Sequence, residues 1–152
     1  MEKEKENENK NENEVNVLDE LNKGACMGMD ATKYILDKVQ DKSFKELLEK
    51  QYNDYKEITD KISSLYPEYS NKEPHETNAL NKAMTWYGIQ MRTMVDQSDS
   101  KIAELLLQGT NMGIIEGRRL LNHKSVDKEV DKLLNKYVNM QEEIISRLKD
   151  YL

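Results

Sequence analysis

Apolar side chains recur at alternating intervals of three and four residues along most of this chain. A helix completes a turn in about 3.6 residues, so this spacing places the apolar positions on one helix face. The pattern predicts five helices, over about residues 15–39, 44–65, 75–96, 99–121 and 126–151. Strong helix formers outweigh strand formers in these segments, and we therefore expect an all-α fold.

The predicted helix starts carry residues that suit the N-cap position. Asp41 or Ser43 is the expected cap of the second helix, and Ser43 with Glu46 has the spacing of a capping box. The expected caps of the fourth and last helices are Ser98 or Asp99, and Ser125.

Two of the predicted core stripes contain polar side chains. Gln51 and Tyr55 lie near the centre of the stripe on the second helix, and both need hydrogen-bond partners if they are buried. That stripe is Phe44, Leu48, Gln51, Tyr55, Ile58, Ile62 and Leu65, and the stripe of the last helix is Val130, Leu133, Tyr137, Met140, Ile144 and Leu148.

The third predicted helix is apolar on two sides. Trp86 and Ile89 project from roughly the side opposite its main stripe, at about 100° per residue. If the stripe packs on the other helices, Trp86 and Ile89 face outward and are candidates for a self-association interface. The alternative is that Trp86 folds over the edge of the bundle or under the connection at 66–74. The main stripe is Leu80, Met84, Tyr87, Met91 and Met94.

Glycines recur every four residues in the first and fourth predicted helices. Each glycine in an exposed helix costs about 1 kcal/mol relative to alanine, so an offsetting contact is expected. Residues four apart share one helix face, and their missing side chains would permit an unusually close helix crossing. We therefore predict close crossings at Gly24, Gly28, Gly109, Gly113 and Gly117.

The two halves of the chain resemble each other. Residues 24–39 align with 109–124, residues 41–62 align with 127–148, and 12 of these 38 positions are identical. A repeat of about 40 residues suits a two-helix unit, so the alignment predicts a duplicated helical hairpin. The connection between the hairpins holds both prolines and the third helix. A helix of about 20 residues spans roughly 30 Å, about the length of the bundle. We therefore predict a crossover four-helix bundle with directions up, down, down, up.

Residues 1–14 differ in composition from the rest of the chain, with six Glu, three Lys and four Asn. Such a segment cannot bury enough surface to offset the entropy of ordering. We expect a disordered acidic tail, or alternatively an acidic arm that contacts a partner, followed by a single bundle domain over residues 15–152.

The formal net charge of −6 disfavours nucleic acids and anionic membranes as partners, because both require clustered Lys and Arg. Cys26 is the only cysteine, which excludes an intrachain disulfide and suits a reducing compartment. No apolar run has the length of a signal-peptide core or a membrane span. We expect a cytoplasmic, soluble protein.

The segments LLLQGTNMGIIEGRRLL and NALNKAMTWYGIQMRTMVDQS resemble an uncharacterised bacterial branch of the ferritin-like superfamily. The resemblance extends over about residues 15–152 and implies a ferritin-like four-helix bundle with an extra crossover helix. It does not by itself imply iron, because one fold hosts many functions.

The residues required for a di-iron centre are not in the expected pattern. Such bundles take one Glu from each of two helices and a Glu-x-x-His pair from each of the other two. Neither His75 nor His123 follows a glutamate by three positions. Glu57 and Glu143 align in the repeat, and both facing inward would give a carboxylate-only metal site; solvated glutamates are the alternative. No cofactor motif occurs, and Cys26 has no nearby histidine on its helix that would activate it.

These observations favour a non-enzymatic bundle that acts through protein–protein contact or assembly, as a homo-oligomer or with a protein partner. The resemblance adds that ferritin-like bundles occur among bacterial spore-coat and stress proteins. The alternatives are a ferritin-like metal-binding or redox protein with the carboxylate-only site, and binding of a small molecule in the bundle core.

Overall fold

The computed structural model describes residues 1–74 and 86–152, without the side chains of residues 6–10. These two ranges contain helices and no strand, which confirms the all-α fold class. The helices are α1 (Glu2–Leu36), α2 (Lys42–Leu65), α3 (described over residues 86–93), α4 (Asp99–His123) and α5 (Lys128–Leu148). Short 3₁₀ turns follow α2 at Tyr66–Glu68 and α5 at Lys149–Tyr151.

The first helix is longer than predicted. It begins at Glu2, so the segment expected to be a disordered tail continues α1, and the predicted boundary at residue 15 is wrong as a limit of helical structure. Glu and Lys have high helix propensity, and a helix extends at little cost once its nucleus has formed. The bundle anchors that nucleus, because Val17 and Leu18 are fully buried.

Asp41 caps α2, since its carboxylate accepts a hydrogen bond from the backbone N–H of Phe44 at 2.8 Å. Ser43 lies inside the helix and its hydroxyl donates to Asp41 at 2.6 Å, so the predicted capping box of Ser43 and Glu46 is wrong. The other N-caps are Ser98 for α4, as predicted, and Asp127 for α5, in place of the predicted Ser125.

The predicted core stripes of α2 and α5 are buried except for Leu65 and Met140, which are half-buried against the core. The apolar members of both stripes face the common core, and the polar members Gln51 and Tyr55 are buried with them. Burial of these amphipathic faces supplies most of the stability of such helices. The buried stripe residues are Phe44, Leu48, Gln51, Tyr55, Ile58 and Ile62 on α2, and Val130, Leu133, Tyr137, Ile144 and Leu148 on α5.

One end of the bundle joins the turn between α1 and α2 to the beginning of α4 and the end of α5. The carboxylate of Asp99 accepts hydrogen bonds from the backbone N–H groups of Gln40 and Asp41, at 2.9 and 2.7 Å. The rings of Phe44 and Tyr151 stack with their centroids 4.5 Å apart.

The opposite end joins the start of α5 to the early part of α1 and the end of α2. Glu14 Oε2 accepts a hydrogen bond from the backbone N–H of Asp127 at 2.8 Å. The hydroxyl of Tyr66 donates to Asp19 at 2.9 Å, and that of Tyr69 donates to Asp127 at 3.1 Å. Together the contacts at the two ends give α1, α2, α4 and α5 the directions up, down, down, up.

The chain between α2 and α4 therefore joins opposite ends of the bundle. Its described helix, α3, lies beside α1 and α4, where Tyr87 reaches Gly109 and Gly88 lies near Tyr34. Tyr87 and Met91 of the predicted stripe are buried, and Met94 is half-buried against the core just beyond the end of α3. The other predicted residues of this region, His75, Leu80 and Met84, lie outside the described residues.

Candidate functional site

The centre of the bundle holds a group of buried polar side chains, which we call the polar centre. It comprises Gln51 and Tyr55 of α2, Thr110 of α4, and Tyr137 and Gln141 of α5, each at most 5% exposed. Residues four apart share a helix face, so α2 and α5 each present one glutamine and one tyrosine to the core.

Gln141 links the two tyrosines of the polar centre. Its side-chain Nε2 donates to the hydroxyl of Tyr137 at 3.2 Å and to that of Tyr55 at 3.4 Å. The two rings lie with centroids 6.4 Å apart and planes tilted by 58°. The side chains of Gln51 and Thr110 also act on the Tyr55 phenol, and the Thr110 hydroxyl donates to the backbone carbonyl of Leu106 at 2.8 Å. Gln141 is therefore the residue that joins the two tyrosines across α2 and α5.

The phenols of this region are held in their neutral form. Burial raises the pKa of Tyr55 above its ordinary value, and hydrogen bonds from Gln141, Thr110 and Gln51 oppose that effect only in part. Burial likewise raises the pKa of Tyr137 and of Tyr87, and the neighbouring Tyr55 adds to both shifts. The polar centre thus offers neutral hydrogen-bonding groups rather than a general base at physiological pH.

The glycines of α1 make room for these tyrosines. A Cβ atom added at Gly28 would lie 2.5 Å from the ring of Tyr55, and one added at Gly24 would overlap the hydroxyl of Tyr137. The prediction of close helix crossings needs correction here, because the nearest atoms belong to aromatic side chains and not to a neighbouring backbone.

The glycines of α4 act in the same way. A Cβ atom at Gly109 would overlap the hydroxyl of Tyr87, and one at Gly113 would overlap the side-chain amide of Gln141. At Gly117 it would lie 2.6 Å from a methyl group of Val138. Close packing of these large side chains offsets the low helix propensity of the five glycines.

The two candidate metal ligands do not face inward together. Glu57 and Glu143 are both exposed. Glu57 pairs instead with Lys136 at 2.7 Å and with Lys61 at 3.1 Å. Hydrogen bonds and charge from Lys136 and Lys61 hold the pKa of Glu57 at about 2. The inward arrangement is therefore not found, and the alternative of solvated glutamates is correct, because these aligned positions lie on the solvated faces of α2 and α5.

The remaining candidates for chemistry are dispersed. His123 is the exposed last residue of α4, and Cys26 is half-buried on α1. Within residues 1–74 and 86–152, no group of three or more His, Cys, Asp or Glu side chains is arranged to hold a metal ion.

The predicted interface pair separates. Trp86 is half-buried and packs against the core, with its ring edge-on to Tyr87 at a centroid distance of 4.8 Å. Ile89 is 47% exposed. The outward orientation is therefore correct for Ile89, whereas Trp86 folds over the edge of the bundle.

Further exposed apolar side chains lie just after α3 and on α4. Met112 and Ile115 of α4 are 57% and 44% exposed, and Val95 after α3 is fully exposed. On α2 and α5, which are both described in full, no large apolar side chain is exposed. The pattern of stripes did not reveal Met112 and Ile115, because α4 is apolar over more than its buried face.

The polar centre was foreseen only in part. The stripe on α2 placed Gln51 and Tyr55 in the core, but their partners Thr110 and Gln141 were not predicted. The repeat alignment could have indicated the partner on α5, because it pairs Gln51 with Tyr137 and Tyr55 with Gln141. Two helices that each carry one glutamine and one tyrosine four residues apart can satisfy each other's side-chain hydrogen-bonding groups across a bundle.

No family model matches this chain, and no curated protein or solved structure matches it either. Within the two described ranges, no helix combines the length and the apolar character needed to cross a membrane.

Proposed function

We propose that this protein is a ferritin-like helical bundle without enzymatic activity that acts through contact with another protein molecule, in the first instance a second copy of itself. The observation that carries the proposal is the exposure of Met112 and Ile115 on the outer face of α4. Residues three apart on a helix lie side by side, so these two side chains form one patch. Exposed apolar patches commonly mark contact surfaces.

The course of the chain supports the ferritin-like plan. The four long helices run up, down, down, up, and residues 66–98 connect opposite ends of the bundle. Ferritin-like folds have this single long crossover between two helical hairpins.

Reciprocal contacts between the hairpins support the proposed duplication. Glu14 of the first half accepts a hydrogen bond from the backbone N–H of Asp127, and Asp99 of the second half accepts one from Asp41. Asp41 and Asp127 are an aligned pair of the repeat, and Glu14 and Asp99 fall in the register of its glycines. Each half thus makes the same contact with the other.

The contents of the bundle centre favour assembly over metal or redox chemistry. Ferritin-like metal centres use carboxylates and histidines from the facing helices. Here neutral amide, phenol and hydroxyl groups occupy the centre, and the carboxylates of Glu57 and Glu143 lie on the surface. A bacterial cytoplasmic component of the spore-coat or stress type is the more specific form of the proposal, and it rests on the sequence resemblance alone.

Sedimentation equilibrium of the full chain over the micromolar range tests the contact. We expect a self-associating wild type and a double variant, Met112→Ser with Ile115→Ser, whose association is weaker by about tenfold or more, or about 1.4 kcal/mol. Leu152→Ser is the control, because Leu152 is 58% exposed and follows the turn after α5, away from the middle of α4. A wild type that stays monomeric, or a double variant that associates as tightly as the control, contradicts self-association.

Metal analysis of protein purified without an affinity tag tests the competing function. One or two equivalents of iron or manganese, lost in Glu57→Gln with Glu143→Gln, would overturn the assembly proposal in favour of a metal-binding protein.

A further inference from the structure

Two acceptors in the polar centre have no hydrogen-bond partner among the described residues. They are the side-chain Oε1 atoms of Gln51 and Gln141. The two residues are only 3% and 2% exposed, so bulk solvent does not reach these oxygens. An unpaired buried acceptor costs about 1–3 kcal/mol, and native cores rarely leave one unsatisfied.

The two oxygens lie close to the same point in the core. Gln141 Nε2 donates to the Tyr55 hydroxyl at 3.4 Å, and Gln51 lies one turn before Tyr55 on the same buried face of α2. The oxygen and nitrogen of an amide group are attached to one carbon, so Gln141 Oε1 is held near the Tyr55 hydroxyl, and the Gln51 amide acts on the same phenol. Gln51 also lines a shallow groove between α2 and α5.

We propose that the polar centre is a binding site for one ordered water molecule, held by Oε1 of Gln51 and Oε1 of Gln141. A water molecule donates two hydrogen bonds, which matches the two free amide acceptors, and it can accept one from the Tyr137 hydroxyl. Buried waters typically make about three such bonds to otherwise unsatisfied groups. This water joins α2 to α5, the second helices of the two hairpins.

Charge decides between water and a cation such as potassium or ammonium. The five side chains of the polar centre are neutral, so a cation would be buried without an opposite charge. Asp54, the carboxylate that acts on Tyr55 from outside the polar centre, is already paired with Lys50 at 2.7 Å. A neutral guest is therefore favoured, and the site does not depend on the proposed function in assembly.

Water-selective cross-relaxation NMR on the full ¹⁵N-labelled chain tests the site. The side-chain amide protons of Gln51 and Gln141 are expected to show cross-peaks with water whose sign reports a long-lived contact. Gln108, exposed on α4, is the control and is expected to show only short-lived surface hydration. Gln51→Met is expected to abolish the cross-peak at Gln141, and Gln141→Met the cross-peak at Gln51, while Gln108→Met changes neither.

The outcomes distinguish the guest. Absence of long-lived contacts at both glutamines overturns the site. Contacts that survive removal of the other glutamine overturn a shared water. Shifts of the Gln51 and Gln141 amide resonances when a sodium salt is exchanged for a potassium or ammonium salt, with Gln108 unchanged, overturn water in favour of a cation. Each variant is first checked for native helicity, and a variant that does not fold is replaced by Gln51→Leu or Gln141→Leu.

Discussion

In the first hairpin, Gly28 of α1 lies against the ring of Tyr55; in the second, Gly113 of α4 lies against the side-chain amide of Gln141. The glycines occupy aligned positions, and so do the residues that they face. The two hairpins thus use one packing rule with different occupants, a rigid ring in the first and a flexible amide in the second.

The two hairpins differ at the preceding glycine of each helix, one turn before Gly28 and Gly113. Gly24 of α1 receives the hydroxyl of Tyr137 from the other hairpin. The aligned position of α4, Gly109, faces Tyr87 of the crossover instead, because Gln51 stands where the second half has Tyr137. Tyr87 of α3 thus takes, beside Gly109 of α4, the position that Tyr137 takes beside Gly24 of α1.

If the phenols of both hairpins form one unit, they should ionise together as the fold is lost. The pKa of Tyr66 and of Tyr69 is raised from 10.0 to about 12, and burial raises the pKa of Tyr55, Tyr87 and Tyr137 as well. A raised pKa stabilises the fold below the unfolded value near 10, and that contribution is lost as the pH rises through the folded value.

An alkaline titration followed by phenolate absorbance and far-ultraviolet circular dichroism measures this. We expect most of the free energy of unfolding to be lost between about pH 10 and 12, with one step in which helix loss and phenolate formation coincide. Ionisation of all eight tyrosines while the helices persist would show that the two halves do not share a core that excludes solvent.

The glycine comparison predicts unequal costs for the same substitution. Gly28→Ala places a methyl group 2.5 Å from a ring that cannot bend, and we expect a loss of about 1–3 kcal/mol. Gly113→Ala meets the end of a flexible side chain, and the gain of about 1 kcal/mol in helix propensity offsets much of its cost. Thermal and urea melts of both variants provide the measurement.

Gly113→Leu extends this test, because four added carbons cannot be accommodated by movement of Gln141 alone. It should therefore be less stable than Gly113→Ala, by about 1–3 kcal/mol. Equal stability of the alanine variants at 28 and 113, or a leucine variant as stable as wild type, would remove the distinction between a ring and an amide.

The two carboxylates that join the hairpins, Asp99 and Glu14, should contribute similarly to the free energy of unfolding if the two halves are equivalent. Asp99→Ala removes the acceptor for the N–H groups of Gln40 and Asp41, and Glu14→Ala removes the acceptor for Asp127. Loss of a hydrogen bond to a charged acceptor costs about 1.5–3 kcal/mol, so both variants should be less stable than the wild type. Urea denaturation of both variants is compared with Glu46→Ala, whose side chain is 65% exposed. If only one of Asp99→Ala and Glu14→Ala is less stable than Glu46→Ala, the two ends of the bundle are not equivalent.

Much of the fold was predictable because helical periodicity is a local signal. The stripes of α2 and α5, the directions of the helices and the crossover all follow from spacing, helix length and loop length. The polar centre was harder, since its hydrogen bonds join residues far apart in the chain, such as Tyr55 and Gln141. Glycine spacing correctly indicated a tight contact but not its occupant, because a missing side chain admits a ring as readily as a backbone. The extent of α1 was missed because composition alone does not show that a packed helix continues into a polar segment.

The smallest expected difference concerns the aligned pair Glu57 and Glu143. Glu57 pairs with Lys136 and Lys61, and its pKa of about 2 lies below the ordinary 4.5, whereas Glu143 makes no ion pair within the described part of the chain. A lowered pKa gives stability that is present above about pH 4.5 and lost as the pH falls towards 2. The side chain of Glu57 is 53% exposed, so solvent screens most of this effect.

We therefore expect Glu57→Gln to lose less than about 1 kcal/mol at neutral pH, and Glu143→Gln to lose nothing measurable. Urea denaturation with and without added salt checks this, because the loss in Glu57→Gln should shrink at high ionic strength and near pH 2. Equal losses in both variants, or a loss that salt does not reduce, would mean that the ion pair does not distinguish the two hairpins.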